Sequence, residues 1–275
     1  MPRWFRPPSL LSGFFALLTL SAAAEKSSVP DPWQAALAFD YNAAAERFAA
    51  LHAAHPADAR TTIAYASSLL VKQPRTEANI QAARDLLAKV CEATPASGDE
   101  AILALYLLAR VELDHLSPAQ PASARAHLEQ LRHDHPSHPL ADHAAVELAY
   151  LLAYPPAGVD PGSAPAIEAM LATVKAPDAA RDLHALLASL YLRLGHDSIA
   201  ALPHLIAARS VGYEQPLRNA DADLSIGNLA RETGDAALAQ KYYAAFLAAA
   251  PRDVRASTVR RLLAGLAPAT SSVTP

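Results

Sequence analysis

The sequence predicts an all-α protein, an α-solenoid of about six antiparallel helix pairs followed by a C-terminal capping helix. One pattern recurs along the chain: an alanine, large apolar residues four and seven positions later, and a proline after five more. A second sign is that most of the 22 prolines fall between apolar runs of helical period, where they end helices. The four copies of the pattern begin at Ala44, Ala83, Ala124 and Ala239 and end at Pro56, Pro95, Pro136 and Pro251.

Local signals place the predicted helices in order. Asp31 and Pro32 fit an N-cap and a first helical turn, and Gly195 and Gly234 fit helix ends. The longest break is expected at residues 154–162, which either widens one hairpin or carries function. A helix through Pro203 and a second helix ending near Ala54 complete the pairs. The other predicted helices cover roughly 32–38, 58–71, 77–93, 99–115, 122–134, 140–152, 165–174, 178–195, 217–233, 236–250 and 252–266.

The first 24 residues have the pattern of a signal peptide. Arg3 and Arg6 precede an apolar run, and Ala22 and Ala24 fit the small residues that signal peptidase requires, so we expect cleavage before Glu25. The alternative is an uncleaved anchor, but the apolar run is shorter than the roughly 20 residues that span a bilayer. We therefore predict an exported, periplasmic protein with a linker at 25–31, a repeat domain at 32–266 and a disordered tail at 267–275.

Composition argues against several functions. The net charge is −4, and losing the leader makes the chain more negative, so neither nucleic acid nor an anionic membrane surface is an expected partner. Cys91 is the only cysteine, so no internal disulfide forms, and its position beside apolar Val90 favours a buried, inert thiol over a reactive one. The sequence contains no serine elbow, metalloprotease motif or phosphate loop, so we expect neither an enzyme nor a cofactor.

The last helix pair resembles the tetratricopeptide repeat (TPR). Ile226 and Gly227, then Gly234, Ala239, Tyr243, Phe246 and Pro251, stand where that family places its characteristic residues. The resemblance covers roughly residues 32–253. In the fourth and fifth units Pro165 or Ala166 occupies the small-residue position and Gly212 replaces proline, which leaves their boundaries open. Residues 124–152 also resemble repeats of bacterial envelope proteins that assist outer-membrane assembly or cell division.

In the TPR family the first helix of each pair lines a concave groove that holds a peptide or a partner's helix. The resemblance implies a protein-interaction scaffold with apolar anchoring and arginine–carboxylate pairing. The groove positions that it implies are Tyr106, Arg110, Tyr150, Asp182, Arg193, Asn228 and Arg231.

Two other functions remain open at this stage. The cluster from His127 to His143 is a candidate for an envelope metal-binding protein, with His133, His135 and His138 as the weak candidate ligands. The competing interpretation is that these side chains are solvated or favour a helix C-terminus. His133 and Asp134 are adjacent at a helix end, so we do not expect them to face each other. The third possibility is a structural subunit of a homo-oligomer, formed by self-association through the end helices.

Overall fold

The computed structural model describes residues 31–155 and 158–266, in which it places thirteen α-helices and no β-strand. A 3-10 turn at Pro161–Ser163 precedes α8, and a π turn at Tyr191–Gly195 follows α9. The helices are α1 (Pro32–Leu37), α2 (Tyr41–Ala54), α3 (Ala59–Val71), α4 (Glu77–Ala93), α5 (Asp99–Asp114), α6 (Pro121–Asp134), α7 (Pro139–Ala153), α8 (Ala164–Leu171), α9 (Pro177–Leu190), α10 (Ser198–Val211), α11 (Pro216–Glu232), α12 (Ala236–Ala249) and α13 (Ala256–Leu266).

Backbone contacts divide the chain into two units, Met1–Ala141 and Asp142–Pro275. In the first unit the pairs α1/α2, α3/α4 and α5/α6 follow one another, and each helix packs on the next. Helix α3 also contacts α5, its counterpart in the following pair. In the second unit the helices from α8 to α13 pack consecutively, and Val146 and Ala149 of α7 share a core with α8 and α9. The prediction of paired helices is confirmed.

The recurring alanine pattern forms the core of each pair that carries it. Ala44, Ala83, Ala124 and Ala239 are fully buried. The apolar residue four positions later is fully buried in every copy: Phe48, Leu87, Leu128 and Tyr243. Burying one such side chain stabilises the fold by about 1.5–3 kcal/mol. At the third position Leu51 is the exception, because it lies in the N-terminal pair and stays partly exposed.

Polar side chains and prolines set the helix ends. Each helix of the pattern ends two residues before its proline, as α2 does at Ala54 before Pro56. A proline cannot continue the hydrogen-bond ladder, and it also disfavours helical backbone in the residue before it. At the other end, carboxylate or hydroxyl oxygens accept hydrogen bonds from first-turn N–H groups. The residues that do so are Asp31, Asp40, Asp58, Thr76, Asp197 and Asp235.

Three predicted ends are wrong. Helix α13 begins at Ala256 and not near Arg252, because Asp253 accepts the N–H of Arg255 and forms a turn first. Helix α8 ends at Leu171, since the chain then turns and both Lys175 and Ala176 donate their N–H groups to Asp142.

The third wrong end concerns Gly195, which lies inside the π turn after α9. The left-handed residue that closes this turn is His196, with φ of 48°, and its N–H donates to the carbonyl of Tyr191. The wider turn moves the closing position one residue beyond the glycine.

The predicted signal peptide at 1–24, most of the linker at 25–31 and the tail at 267–275 lie outside the described residues. Among the helices that are described, none is both long and apolar enough to cross a membrane.

A glycine permits a close helix crossing between α11 and α12. A Cβ atom on Gly227 would lie 2.6 Å from Cδ1 of Tyr243, whose ring is fully buried. The Tyr243 hydroxyl donates to Oδ1 of Asn228 at 2.8 Å, which fixes the ring in place. Glycine at 227 is therefore a packing requirement.

We predict that Gly227→Ala destabilises the fold by about 1–2 kcal/mol, because overpacking outweighs the higher helix propensity of alanine. The measurement is urea unfolding followed by circular dichroism. Gly265→Ala in α13 is the matched control, since a Cβ atom there meets nothing within 4 Å. The control should be neutral or stabilising by up to about 1 kcal/mol. Equal stability of the two variants would contradict the packing argument.

Candidate functional site

Two of the predicted groove residues lie in the first unit, and neither is a free surface contact. Tyr106 is only 4% exposed in the middle of α5, so it is a core residue and its assignment to an exposed groove is corrected. Arg110 pairs with Asp114 one turn later, with its Nη2 atom 2.7 Å from Oδ2. The family resemblance that implied a groove position for Tyr106 did not separate the groove-facing side of α5 from its buried side.

In the second unit the structure brings Tyr150 of α7 close to Asp182 of α9. Burial is the main cause that raises the pKa of Tyr150, and the negative charge of Asp182 raises it further, whereas Arg218 lowers it. The ring of Tyr150 also stacks near that of Tyr154, with centroids 6.2 Å apart. A phenol held neutral in this way serves as an apolar surface with a hydrogen-bonding hydroxyl.

The loop between α10 and α11 presents a second tyrosine, Tyr213. Gly212 turns the chain with φ of 86°, a conformation that favours glycine. Asn219 in the first turn of α11 then binds the backbone of Tyr213 twice. Its Oδ1 accepts the N–H of Tyr213 at 2.9 Å, and its Nδ2 donates to the carbonyl at 2.7 Å. The loop is thus anchored to the helix that follows it.

Two guanidinium groups lie over the Tyr213 ring. The Cζ atom of Arg181 is 5.3 Å from the ring centroid and that of Arg218 is 5.6 Å from it. Arg181 is already engaged, because its Nε donates to Asp182 at 2.8 Å and its Nη1 donates to the carbonyl of Gly212 at 3.2 Å. Cation–π contacts at these distances orient a guanidinium without using its hydrogen-bond donors.

Arg218 differs from Arg181 because it is exposed and, within the described part of the chain, no carboxylate lies within ion-pair distance of it. Next to it Leu217 is 70% exposed. We call Tyr150, Asp182, Tyr213, Leu217 and Arg218 the tyrosine–arginine surface. Its chemistry suits a carboxylate next to an apolar group.

An ion pair with a buried carboxylate joins the two helices that flank the Tyr213 loop. Asp223 of α11 has its side chain 2% exposed and accepts two hydrogen bonds from Arg209 of α10, at 2.7 and 3.1 Å. A paired, bidentate geometry satisfies a carboxylate that would be costly to bury alone. The pair fixes α10 against α11 on both sides of the Tyr213 loop.

The remaining predicted groove residues have separate places. Arg193 is exposed in the π turn, and Arg231 is exposed in the last turn of α11. Asn228 is exposed, and its amide oxygen accepts the Tyr243 hydroxyl, so its observed role is to support the core.

Sequence reasoning missed Arg181, Tyr213, Arg218 and Asn219. Tyr213 lies in a loop, where helical periodicity carries no information. The only available signal was Gly212 followed by an aromatic residue between two helices.

The first unit contains a buried polar network around Glu112. This glutamate is fully buried in α5, accepts the Ser123 hydroxyl at 2.9 Å and lies 3.1 Å from Nδ1 of His127. Nε of Arg84, from α4, is 3.7 Å away. Since a carboxylate only accepts, Nδ1 of His127 carries the hydrogen that joins them. A carboxyl group within the apolar run of α5 was the sequence signal that could have revealed this network.

A cavity of about 250 Å³ lies beside this network, between α4, α5 and α6. Burial raises the pKa of the Cys91 thiol to about 11, so the sulfur stays protonated at neutral pH. Cys91 is only partly buried, but its raised pKa agrees with the prediction of an inert thiol. The lining residues are Ala88, Cys91, Glu92, Ala96, Ala101, Ile102, Leu105, Leu108, His127, Gln130 and His135.

Two of the three histidines proposed as metal ligands have other side-chain partners. His133 contacts Asp134 at 2.8 Å on an exposed helix end, which corrects the expectation that these neighbours do not meet. His138 accepts the N–H of Leu140, and burial lowers its pKa. His135 closes α6 and lines the cavity. Over residues 31–155 and 158–266, no three His, Cys, Asp or Glu side chains are placed to hold a metal ion together.

Comparison with known proteins defines the fold class. No family model matches the sequence, and no curated protein matches it. Among solved structures, pilF of Pseudomonas aeruginosa aligns with a TM-score of 0.53 at 14% identity, over 92% of this chain and 97% of that chain. The consecutively packed helices of the described residues, together with this likeness, define a TPR-type α-solenoid fold.

Two further structures align less well. The Cut9–Hcn1 hetero-tetramer of the APC/C aligns at 15% identity and a TM-score of 0.49 over 86% of this chain, which spans only 42% of that chain's length. A TPR protein of Thermus thermophilus aligns at 21% identity and a TM-score of 0.40, over 76% of this chain and 98% of that chain.

We predict that Glu112→Ala destabilises the protein by about 1–3 kcal/mol, because it leaves Ser123 and His127 without their shared acceptor and Arg84 without its ion-pair partner. The measurement is chemical unfolding of the purified variant. Glu92→Ala removes an exposed carboxylate from the cavity rim and should change stability by less than about 0.5 kcal/mol. A similar loss in both variants would mean that the network contributes little.

Proposed function

We propose that this protein is a non-enzymatic interaction scaffold that binds an acidic peptide or partner segment on its tyrosine–arginine surface. The observation that carries the proposal is Arg218, exposed and oriented by Tyr213 without a carboxylate among the described residues. Repeat folds of paired helices commonly bind peptides or partner helices on extended surfaces.

The chemistry of the surface supports a carboxylate-bearing partner. A guanidinium–carboxylate hydrogen bond that becomes desolvated contributes about 1.5–3 kcal/mol. Leu217 and the Tyr213 ring offer apolar area beside the charge, which favours a segment that carries an apolar residue next to its acidic one. Asp182 is already held by Arg181, so its charge is balanced within the surface.

The sequence supports a location in the periplasm. The leader at 1–24 has the charge and apolar pattern of a signal peptide with cleavage before Glu25. We place the scaffold in the bacterial cell envelope, with envelope proteins as its partners.

We predict that Arg218→Glu abolishes the capture of a specific partner from envelope extract, because it replaces attraction of a carboxylate by repulsion. Arg252→Glu makes the same change of charge at another exposed arginine of the second unit and should leave capture unchanged. The partner segment is then identified and synthesised. Its affinity, measured by calorimetry, should fall at least tenfold for Arg218→Glu, equivalent to about 1.4 kcal/mol or more.

Equal capture by both variants would rule out the tyrosine–arginine surface as the binding site. A partner segment that lacks carboxylates would overturn the proposed chemistry even if binding itself persists.

We predict that the chain recovered from the periplasm of a Gram-negative host begins at Glu25. Intact mass spectrometry of the periplasmic fraction measures this directly. Ala24→Glu should block processing, because signal peptidase requires a small residue there. Recovery of the full-length wild-type chain with the membranes would instead support an uncleaved anchor.

A further inference from the structure

We propose that His184 and His204 form a binding site for a divalent late transition-metal ion, bound most tightly as Cu²⁺. The two residues belong to neighbouring helices of the second unit, His184 to α9 and His204 to α10. This inference is independent of the proposed function, because neither residue belongs to the tyrosine–arginine surface.

The two imidazole rings approach each other through the same atom, Nδ1. Nδ1 of His184 lies 2.9 Å from Nδ1 of His204, and the ring centroids are 5.2 Å apart. In the absence of an ion, one nitrogen must carry a hydrogen and the other must accept it. Both side chains are only half-buried, so the pair can be reached from solvent.

The separation of the nitrogens also fits two ligands of one ion. Metal–imidazole bonds are about 2.0–2.1 Å, so two nitrogens at right angles around an ion lie about 3 Å apart. Right-angle positions belong to the tetragonal geometry of Cu²⁺ and Ni²⁺, and imidazole is a good ligand for both. An ion would replace the shared hydrogen once each ring turns by about 45°, because both nitrogens must then point at the ion and not at each other, and water would complete its coordination.

Neighbouring groups hold one of the rings, and burial favours the neutral form of both. The ring of Tyr191 stacks on His204 with centroids 5.7 Å apart, and its hydroxyl donates to the carboxylate of Glu168. Burial is the main cause that lowers the pKa of both histidines; the proximity of His204 lowers that of His184 further, whereas the negative charge of Glu168 raises that of His204. Neutral imidazoles are the form that binds metal ions.

Helix packing, and not sequence proximity, creates this pair. The two histidines lie on different helices, with the turn after α9 between them. The cluster of His133, His135 and His138 is denser in sequence, but His133 and His138 have other partners. An ion at His184 and His204 would join α9 to α10 by coordinate bonds.

The test is a Cu²⁺ titration of the purified chain, carrying no histidine tag, at pH 7.4. We expect one Cu²⁺ per chain, with electron spin-echo spectra that report two equatorial imidazole nitrogens. His184→Ala and His204→Ala should each weaken binding at least tenfold, whereas a His133→Ala/His135→Ala/His138→Ala variant should bind like the wild type. Thermal melts establish that each variant is folded. The spectra of the wild-type protein test the coordination by two imidazoles without relying on any variant.

Three results would overturn the proposal. They are the absence of a stoichiometric Cu²⁺ site, coordination by fewer than two imidazoles, and binding that survives His184→Ala/His204→Ala but is lost in the triple variant. Affinity that follows Cu²⁺ above Ni²⁺, together with loss in both single variants, would support it.

Discussion

Close approach of helices at fully buried small residues is the constraint on which the rest of this structure depends. Ala44, Ala83, Ala124 and Ala239 hold equivalent places in their pairs, and each is shielded completely from solvent. A larger side chain at any of them would separate two helix axes and expose the apolar residue that follows. Gly227 allows a still closer approach, since the absence of a side chain leaves room for the Tyr243 ring. Because the chain has few aromatic residues, its core consists of many close helix–helix contacts of this kind and not of one large cluster of bulky side chains.

Buried carboxylates reinforce two junctions between successive pairs. In the first unit Glu112 of α5 lies near Arg84 of α4, and in the second unit Asp223 of α11 binds Arg209 of α10. Both acids sit on the first helix of a pair and meet an arginine from the helix before it. An unpaired buried charge is costly, so each junction penalises arrangements in which the two helices slide apart. Packing of alanine side chains alone would discriminate less strongly between the native position of the two helices and a shifted one.

The fold could be predicted from the sequence because its determinants are local. Prolines and aspartates mark where helices end and begin, and the alanine spacing identifies the buried face, as at Ala54, Pro56 and Asp58. Predictions failed where a tertiary contact determines the end of a helix. After α8, for example, Asp142 accepts two backbone N–H groups from the chain that follows. The same reason explains the candidate sites. Tyr150 and Asp182 could be inferred from a repeat frame, whereas Tyr213 lies in a loop and His184 meets His204 only through helix packing.

The two hydrogen bonds between the Asn219 amide and the backbone of Tyr213, one accepted and one donated, have a kinetic consequence. Because the loop is already ordered, the conformational entropy of the loop is lost during folding and not during association. A partner would therefore dock onto a rigid platform, with an association rate set by diffusion and charge. Differences in affinity between related partner segments should then appear mainly in how long each remains bound.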